Sequence, residues 1–208
     1  MFVTTGQAGS ALGCSIPTVK KLIGTGVVPG VRDAGRQVFP FSALQALQQR
    51  PAADLTAVGA GEVAVLRADA PARVDEPGRE WIGFGTMLGA AQLLAGLNGW
   101  WRCAPARVAA AGVLPVTVAH FVVAVLTNLD DYDAQGEGRD ARFRFTKARL
   151  AGYVTDLTAP VNAADPADPE DARVAGLLLG TRLVSVSGGP IAYVPTTTTA
   201  DQPATEGE

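Results

Sequence analysis

The sequence predicts an α+β chain in which a small basic module, residues 1–50, precedes a larger mixed domain with antiparallel hairpins at residues 62–195. Three observations lead there. Charge is split: residues 1–50 hold Lys20, Lys21, Arg32, Arg36 and Arg50 against the single acid Asp33, for a net +4, whereas the remaining residues carry −7. Within that basic stretch, apolar residues recur at helical spacing and are punctuated by glycine. Beyond residue 112 the texture changes to β-branched runs, Val113–Val118 and Val122–Leu129, flanking Ala119-His120-Phe121 and read as a buried hairpin.

Each N-terminal element has a local cause. Thr4-Thr5-Gly6-Gln7 has the form of a capping box, a hydroxyl followed three residues later by Gln. Ala8, Ala11 and Leu12 continue that short helix, and Gly13 stops it. Ser15 is placed to cap a second helix whose first turn tolerates Pro17. Ile16, Val19, Leu22 and Ile23 line one face of it; Thr18 and Lys21 fall on the opposite face, with Lys20 on the flank. Gly24 and Gly26 end it. Val27–Val31 and Gln37–Phe41 read as two short strands around the turn Asp33-Ala34-Gly35. Ser42-Ala43-Leu44-Gln45 reads as a second capping box opening a third helix, and Pro51 closes the module.

Residues 51–61 are small and nearly uncharged, as in a linker. Glu62–Val74 alternates weakly, as one or two strands would. Helices are expected over Met87–Leu97 and Pro105–Ala111, and a half-exposed strand at Arg142–Phe145. Asn162–Asp171 reads as a loop, Val174–Leu179 and Leu183–Val186 as short apolar segments, and Ile191–Val194 as a last strand. Residues 196–208 lack apolar content and are expected to be disordered.

The strings TTGQAGSALGCSIPTVKKLI and VVPGVRDAGRQVFPFSALQAL resemble, over residues 3–49, the winged helix-turn-helix of the MerR family and related excisionase-type modules. That resemblance implies double-stranded DNA as partner: the Ile16–Ile23 helix would enter the major groove, and the hairpin around Gly35 would touch the backbone beside it. The DNA-binding residues expected are Ser15, Pro17, Thr18, Lys20, Lys21, Arg32 and Arg36. Two departures stand out. Leu22 follows the paired lysines where an aromatic is common, and residues 52–80 show no heptads, so the excisionase-like branch fits better than MerR dimerisation. Charge supports the same reading independently. Lys20, Lys21 and Lys147 are the only lysines in the chain, and two of them sit together on the second helix. Arg32 and Arg36 straddle the hairpin turn. Leu97–Leu129 loosely resembles small PUA-like β-rich modules, with no ligand-contact residue to carry over.

Other motifs point elsewhere less well. Asp131–Gly136 begins like a calcium loop, but its twelfth position is Arg142, so an acidic hairpin tip is expected and no metal. His120, the only histidine, has no orienting acid nearby and is expected in a turn or packed; no catalytic residue or cofactor is assigned. Trp100 and Trp101 are expected to pack in the core. Cys14 and Cys103 suit a reducing compartment. No secretory signal or membrane span is expected, so the chain reads as cytoplasmic. The expected function is sequence-specific DNA binding, as a transcriptional regulator or excisionase-like architectural factor. Alternatives are a DNA-docking adaptor for a packaging or recombination enzyme, or a nuclease in the C-terminal domain. The apolar hairpin and neighbouring tryptophans make residues 62–195 the expected surface for a homodimer.

Overall fold

A computed structural model describes residues 1–33 and 37–196. Strand β1 (Phe2–Thr4) leads into helix α1 (Thr5–Leu12), which opens with the expected capping box. Thr4 Oγ1 accepts the Gln7 amide at 3.2 Å, and Gln7 Oε1 accepts the Thr4 amide at 2.9 Å. Gly13, at φ 67°, ends α1 in the left-handed conformation that glycine adopts without steric cost. Helix α2 (Ile16–Gly24) is capped by Ser15, whose Oγ accepts the Thr18 amide at 3.3 Å. Strands β2 (Arg32–Asp33) and β3 (Gln37–Pro40) follow, then helix α3 (Phe41–Gln48).

Two expectations for this region are corrected. Val27–Val31 is not a strand: Val27 and Val28 are buried in the core, and Gly30 turns the chain at φ 73° before β2. The Ser42–Gln45 capping box does not form, because α3 already begins at Phe41 with Pro40 as its cap and no side-chain hydrogen bond. β1 was not anticipated; it pairs with β3, giving a three-stranded antiparallel sheet in the order β1-β3-β2.

The rest of the chain is built on one sheet. Its strands are β4 (Glu62–Arg67), then, after the hairpin β5 (Ala72–Glu76) and β6 (Arg79–Ile82) and the helices α4 (Ala90–Leu97) and α5 (Pro105–Ala110), β7 (Val113–Val118) and β8 (Phe121–Thr127). A second hairpin, β9 (Tyr132–Gln135) and β10 (Arg142–Phe145), precedes β11 (Arg149–Tyr153), helix α6 (Pro169–Leu178) and β12 (Ile191–Pro195). The order is β11-β8-β7-β4-β12, antiparallel except for the β4–β7 pair. That parallel pair requires a long crossover, which the β5–β6 hairpin, α4 and α5 supply. The mixed α+β class is therefore as the sequence predicts.

Both faces of this sheet are covered, and that explains its continuous rather than alternating apolar runs. On one face Leu66, Leu114, Val116 and Leu126 pack with Leu93 and Leu97 of α4. The same cluster continues without a break into Leu12, Leu22, Phe39 and Leu47 of the N-terminal module. On the other face Val63, Val65, Val122 and Val125 pack against Val174 and Leu178 of α6 and against Leu55. Every residue of β7 and β8 is buried within the chain. The hairpin expected to offer an apolar pairing surface is thus consumed by its own fold. Trp101 is buried, its Nε1 donating to the Leu97 carbonyl at 2.8 Å, while Trp100 is half-buried.

Residues 51–61 are seated rather than free. Arg182 N donates to Pro51 O at 2.7 Å and Ala53 N to Arg182 O at 2.8 Å; Leu55 is buried, and Thr56–Val58 forms a 3-10 turn. The acidic stretch near residue 131 is the edge-to-edge strand β9, with the hairpin's tip displaced to the 3-10 turn Gly138–Asp140. Helix α6 was not anticipated, although its opening carries the usual signals: Asp168 caps it, Pro169 takes the first position and Glu170 and Asp171 fill the first turn. Those acids also serve the sheet, since Arg149 of β11 donates to Asp171 at 2.7 Å and to Asp168 at 2.9 Å.

Candidate nucleic-acid interface

The turn between α1 and α2 is set by close backbone approach. Cys14 N donates to Gly9 O at 2.9 Å, and a Cβ at Gly9 would stand 2.8 Å from the Cys14 carbonyl, so only glycine lets the chain fold back there. The apolar residues Ala8, Leu12, Val19 and Leu22 are buried between these helices and α3. Gln48 Nε2 ties α3 to the end of α1 through the Ala11 carbonyl at 3.0 Å. With Val19 and Leu22 turned inward, the other side of α2 is left to solvent.

That outer side carries most of the expected residues. Ser15, Pro17, Lys20 and Lys21 are exposed, and Thr18 is half-buried with its hydroxyl 2.9 Å from Ser15 Oγ. Arg32, exposed on β2, lies over the Phe2 ring at 4.8 Å from its centroid, so strand β1 holds that cation in place. The structure brings Ser15, Pro17, Thr18, Lys20 and Lys21 onto one short helix. Arg36 and the turn at Gly35 lie outside the described residues.

The two lysines differ in a way that the linear sequence does not reveal. Lys21 Nζ pairs with Asp69, from the loop after β4, whereas Lys20 makes no ion pair among the described residues. Both side chains of the Lys21–Asp69 pair are more than half exposed (52% and 67%), so the contact is weak and readily exchanged. Beside it, Thr18 and Lys21 share a polar cavity of about 550 Å³ with Arg67, Asp69, His120 and the Ser187–Pro190 loop. Sequence spacing could not have found this grouping, because its members come from four separate parts of the chain.

The module is held to the body at its α2 end. Thr86 N donates to Thr25 O at 2.8 Å and Leu157 N to Val27 O at 2.9 Å. Arg182 reaches the Leu12 carbonyl at 3.4 Å. A Cβ on Gly24 would lie 2.9 Å from the Ala70 Cβ, so the helix end abuts the loop carrying Asp69.

Burial pushes the Cys14 thiol up and the Cys103 thiol to about 11, leaving both protonated at neutral pH. No group of three or more His, Cys, Asp or Glu is placed to hold a metal ion among the described residues. Nor, among those residues, is any helix long and apolar enough to cross a membrane. No protein-family model, curated protein or solved structure was found to match the chain.

Proposed function

We propose that the chain binds double-stranded DNA through the outer face of α2, with Lys20 and Lys21 as its principal cations and Arg32 on the flanking strand, as a regulator or an excisionase-like architectural factor. One observation carries this reading. A short, side-chain-capped helix is presented by a glycine-closed turn with Val19 and Leu22 buried, Ile16 at its start left exposed, and its lysines outward, beside a small antiparallel sheet bearing an exposed arginine. Such a helix fits the major groove, where cations meet phosphate or guanine.

The rigid seating of the module shapes the proposal. Because residues 51–61 are tied to the sheet, the body would approach DNA together with α2 rather than trail on a tether. Fixed geometry of this kind also suits a docking adaptor that presents DNA to a partner enzyme. Self-association through residues 62–195 loses the reason that the sequence offered for it, since β7 and β8 have no free apolar face.

Asp69 supplies a test with a distinctive sign. It is a negative charge beside α2 and it competes for Lys21. Asp69→Asn should therefore tighten duplex binding by about three- to tenfold at low salt, whereas Lys20→Ala should weaken it by about tenfold. Fluorescence anisotropy with a duplex selected from random DNA measures both. Unchanged affinity in both variants would remove α2 from the interface.

A further inference from the structure

The β7–β8 hairpin closes through a two-residue loop, Ala119-His120, with Val118 paired to Phe121. Both loop residues have positive φ, 49° and 70°. A loop of this twist is ordinarily built from Asn-Gly, because left-handed backbone is costly for residues with a Cβ. Here the strained position instead delivers the chain's sole histidine to the wall of the polar cavity beside α2. Backbone strain of this kind is characteristic of binding positions.

The surroundings of His120 define what the cavity attracts. Thr18 and Lys21 come from α2, Arg67 from the end of β4, and Ser187–Pro190 from the loop before β12. Arg67 Nη1 donates to the Ser187 carbonyl at 2.7 Å, so the guanidinium is anchored at the wall. Gly188 and Gly189 have no atom within 4 Å of where a Cβ would stand, which leaves the loop backbone open to a ligand. Burial holds the His120 imidazole below its ordinary value, and the charges of Arg67 and Arg182 push it further down. Arg67 thus sets a cation on the same cavity wall as His120. The one acid present, Asp69, is occupied by Lys21 in a solvent-exposed pair that an entering anion would displace.

From this juxtaposition we infer that the cavity is a phosphate-binding site, in which Arg67, Lys21 and His120 grip the oxygens and the Thr18 hydroxyl donates to them. It rests in part on the reading of α2 as a DNA-facing helix. With the cavity opening beside Thr18 and Lys21, a backbone phosphate of bound duplex is one source of the group and free phosphate the other. The charged groups around His120 are Arg67 and Arg182, whose charges act on the ring, and Lys21 and Asp69, which line the same cavity. A bound phosphate offsets the cations among them and must raise the imidazole's affinity for protons.

The sole histidine makes the site observable. The ring resonances of His120 in untagged, full-length protein are titrated with pH, with inorganic phosphate, with a short duplex, and with chloride at matched ionic strength. Phosphate or duplex should raise the midpoint of the His120 titration, and chloride should not. Arg67→Gln should weaken the effect about tenfold, as loss of a charged hydrogen-bond donor does. The double change Ala119→Asn with His120→Gly should raise the unfolding midpoint by relieving the turn, yet lower phosphate affinity measured by calorimetry, so misfolding cannot explain the loss.

The outcomes separate the two ideas. If duplex binds by anisotropy but leaves His120 and the Arg67→Gln affinity unmoved, and inorganic phosphate does the same, the phosphate site is refuted while DNA binding stands. If inorganic phosphate shifts His120 but duplex does not bind, the site stands with a free anion as its ligand and the DNA reading falls. A response to duplex lost in Arg67→Gln supports both.

Discussion

Leu126→Ala should lower the stability of the whole chain by about 3–5 kcal/mol, the range for emptying a fully buried leucine site. Leu126 is wholly inaccessible on β8, flanked by Leu114 of β7 and Leu150 of β11. It belongs to the one cluster that also holds Leu93 and Leu97 of α4 and Leu12, Leu22 and Phe39 of the N-terminal module. For a chain of this size the melting temperature should drop by roughly 10 °C. Because the core is continuous, amides of α1 and α2 should lose hydrogen-exchange protection in step with those of β8. Protection lost in the sheet alone would show that residues 1–50 fold independently, and the rigid seating of α2 would have to be abandoned.

The second large effect concerns binding. Lys20→Glu combined with Lys21→Glu should reduce duplex affinity about a hundredfold or more at low salt, since two phosphate-neutralising cations become repulsive anions. Neither side chain supports the core, as both lysines are exposed, so the unfolding midpoint should barely move. Arg139→Glu with Arg142→Glu, exposed positions around the β9–β10 hairpin, makes the same change in net charge outside the proposed interface. That control should cost little. Equal losses in the two double variants would mean that only net charge matters, and α2 would have no special place.

Local chemistry explains which parts of this molecule could be read before its structure was known. Caps and turns act over a few residues, so Thr4–Gln7, Gly13 and Ser15 announced α1 and α2 correctly. The Val113–Thr127 hairpin was legible because both faces of its strands are buried, which yields unbroken β-branched runs. What the same runs could not reveal was their covering, α4 on one face and α6 on the other. Helix α6 was hidden by its acidic opening, which reads like a loop until Arg149 is seen to pair with it. The tie between residues 51–61 and Arg182 is made by backbone groups, which carry no sequence signature. The candidate site divides along the same line. Ser15 to Lys21 are contiguous and fall on one helix by spacing alone, whereas Arg67, Asp69 and His120 meet α2 only through the tertiary fold.

The most direct test of the central proposal is the salt dependence of duplex binding by the full-length protein. Anisotropy titrations from 50 to 200 mM salt should give a log–log slope between about −3 and −5, as expected when Lys20, Lys21, Arg32, Arg36 and Arg67 each displace a counterion. In the Lys20→Ala variant that slope should become shallower by about one. A slope near zero, or no binding of any selected duplex at 50 mM salt, would contradict DNA binding by α2.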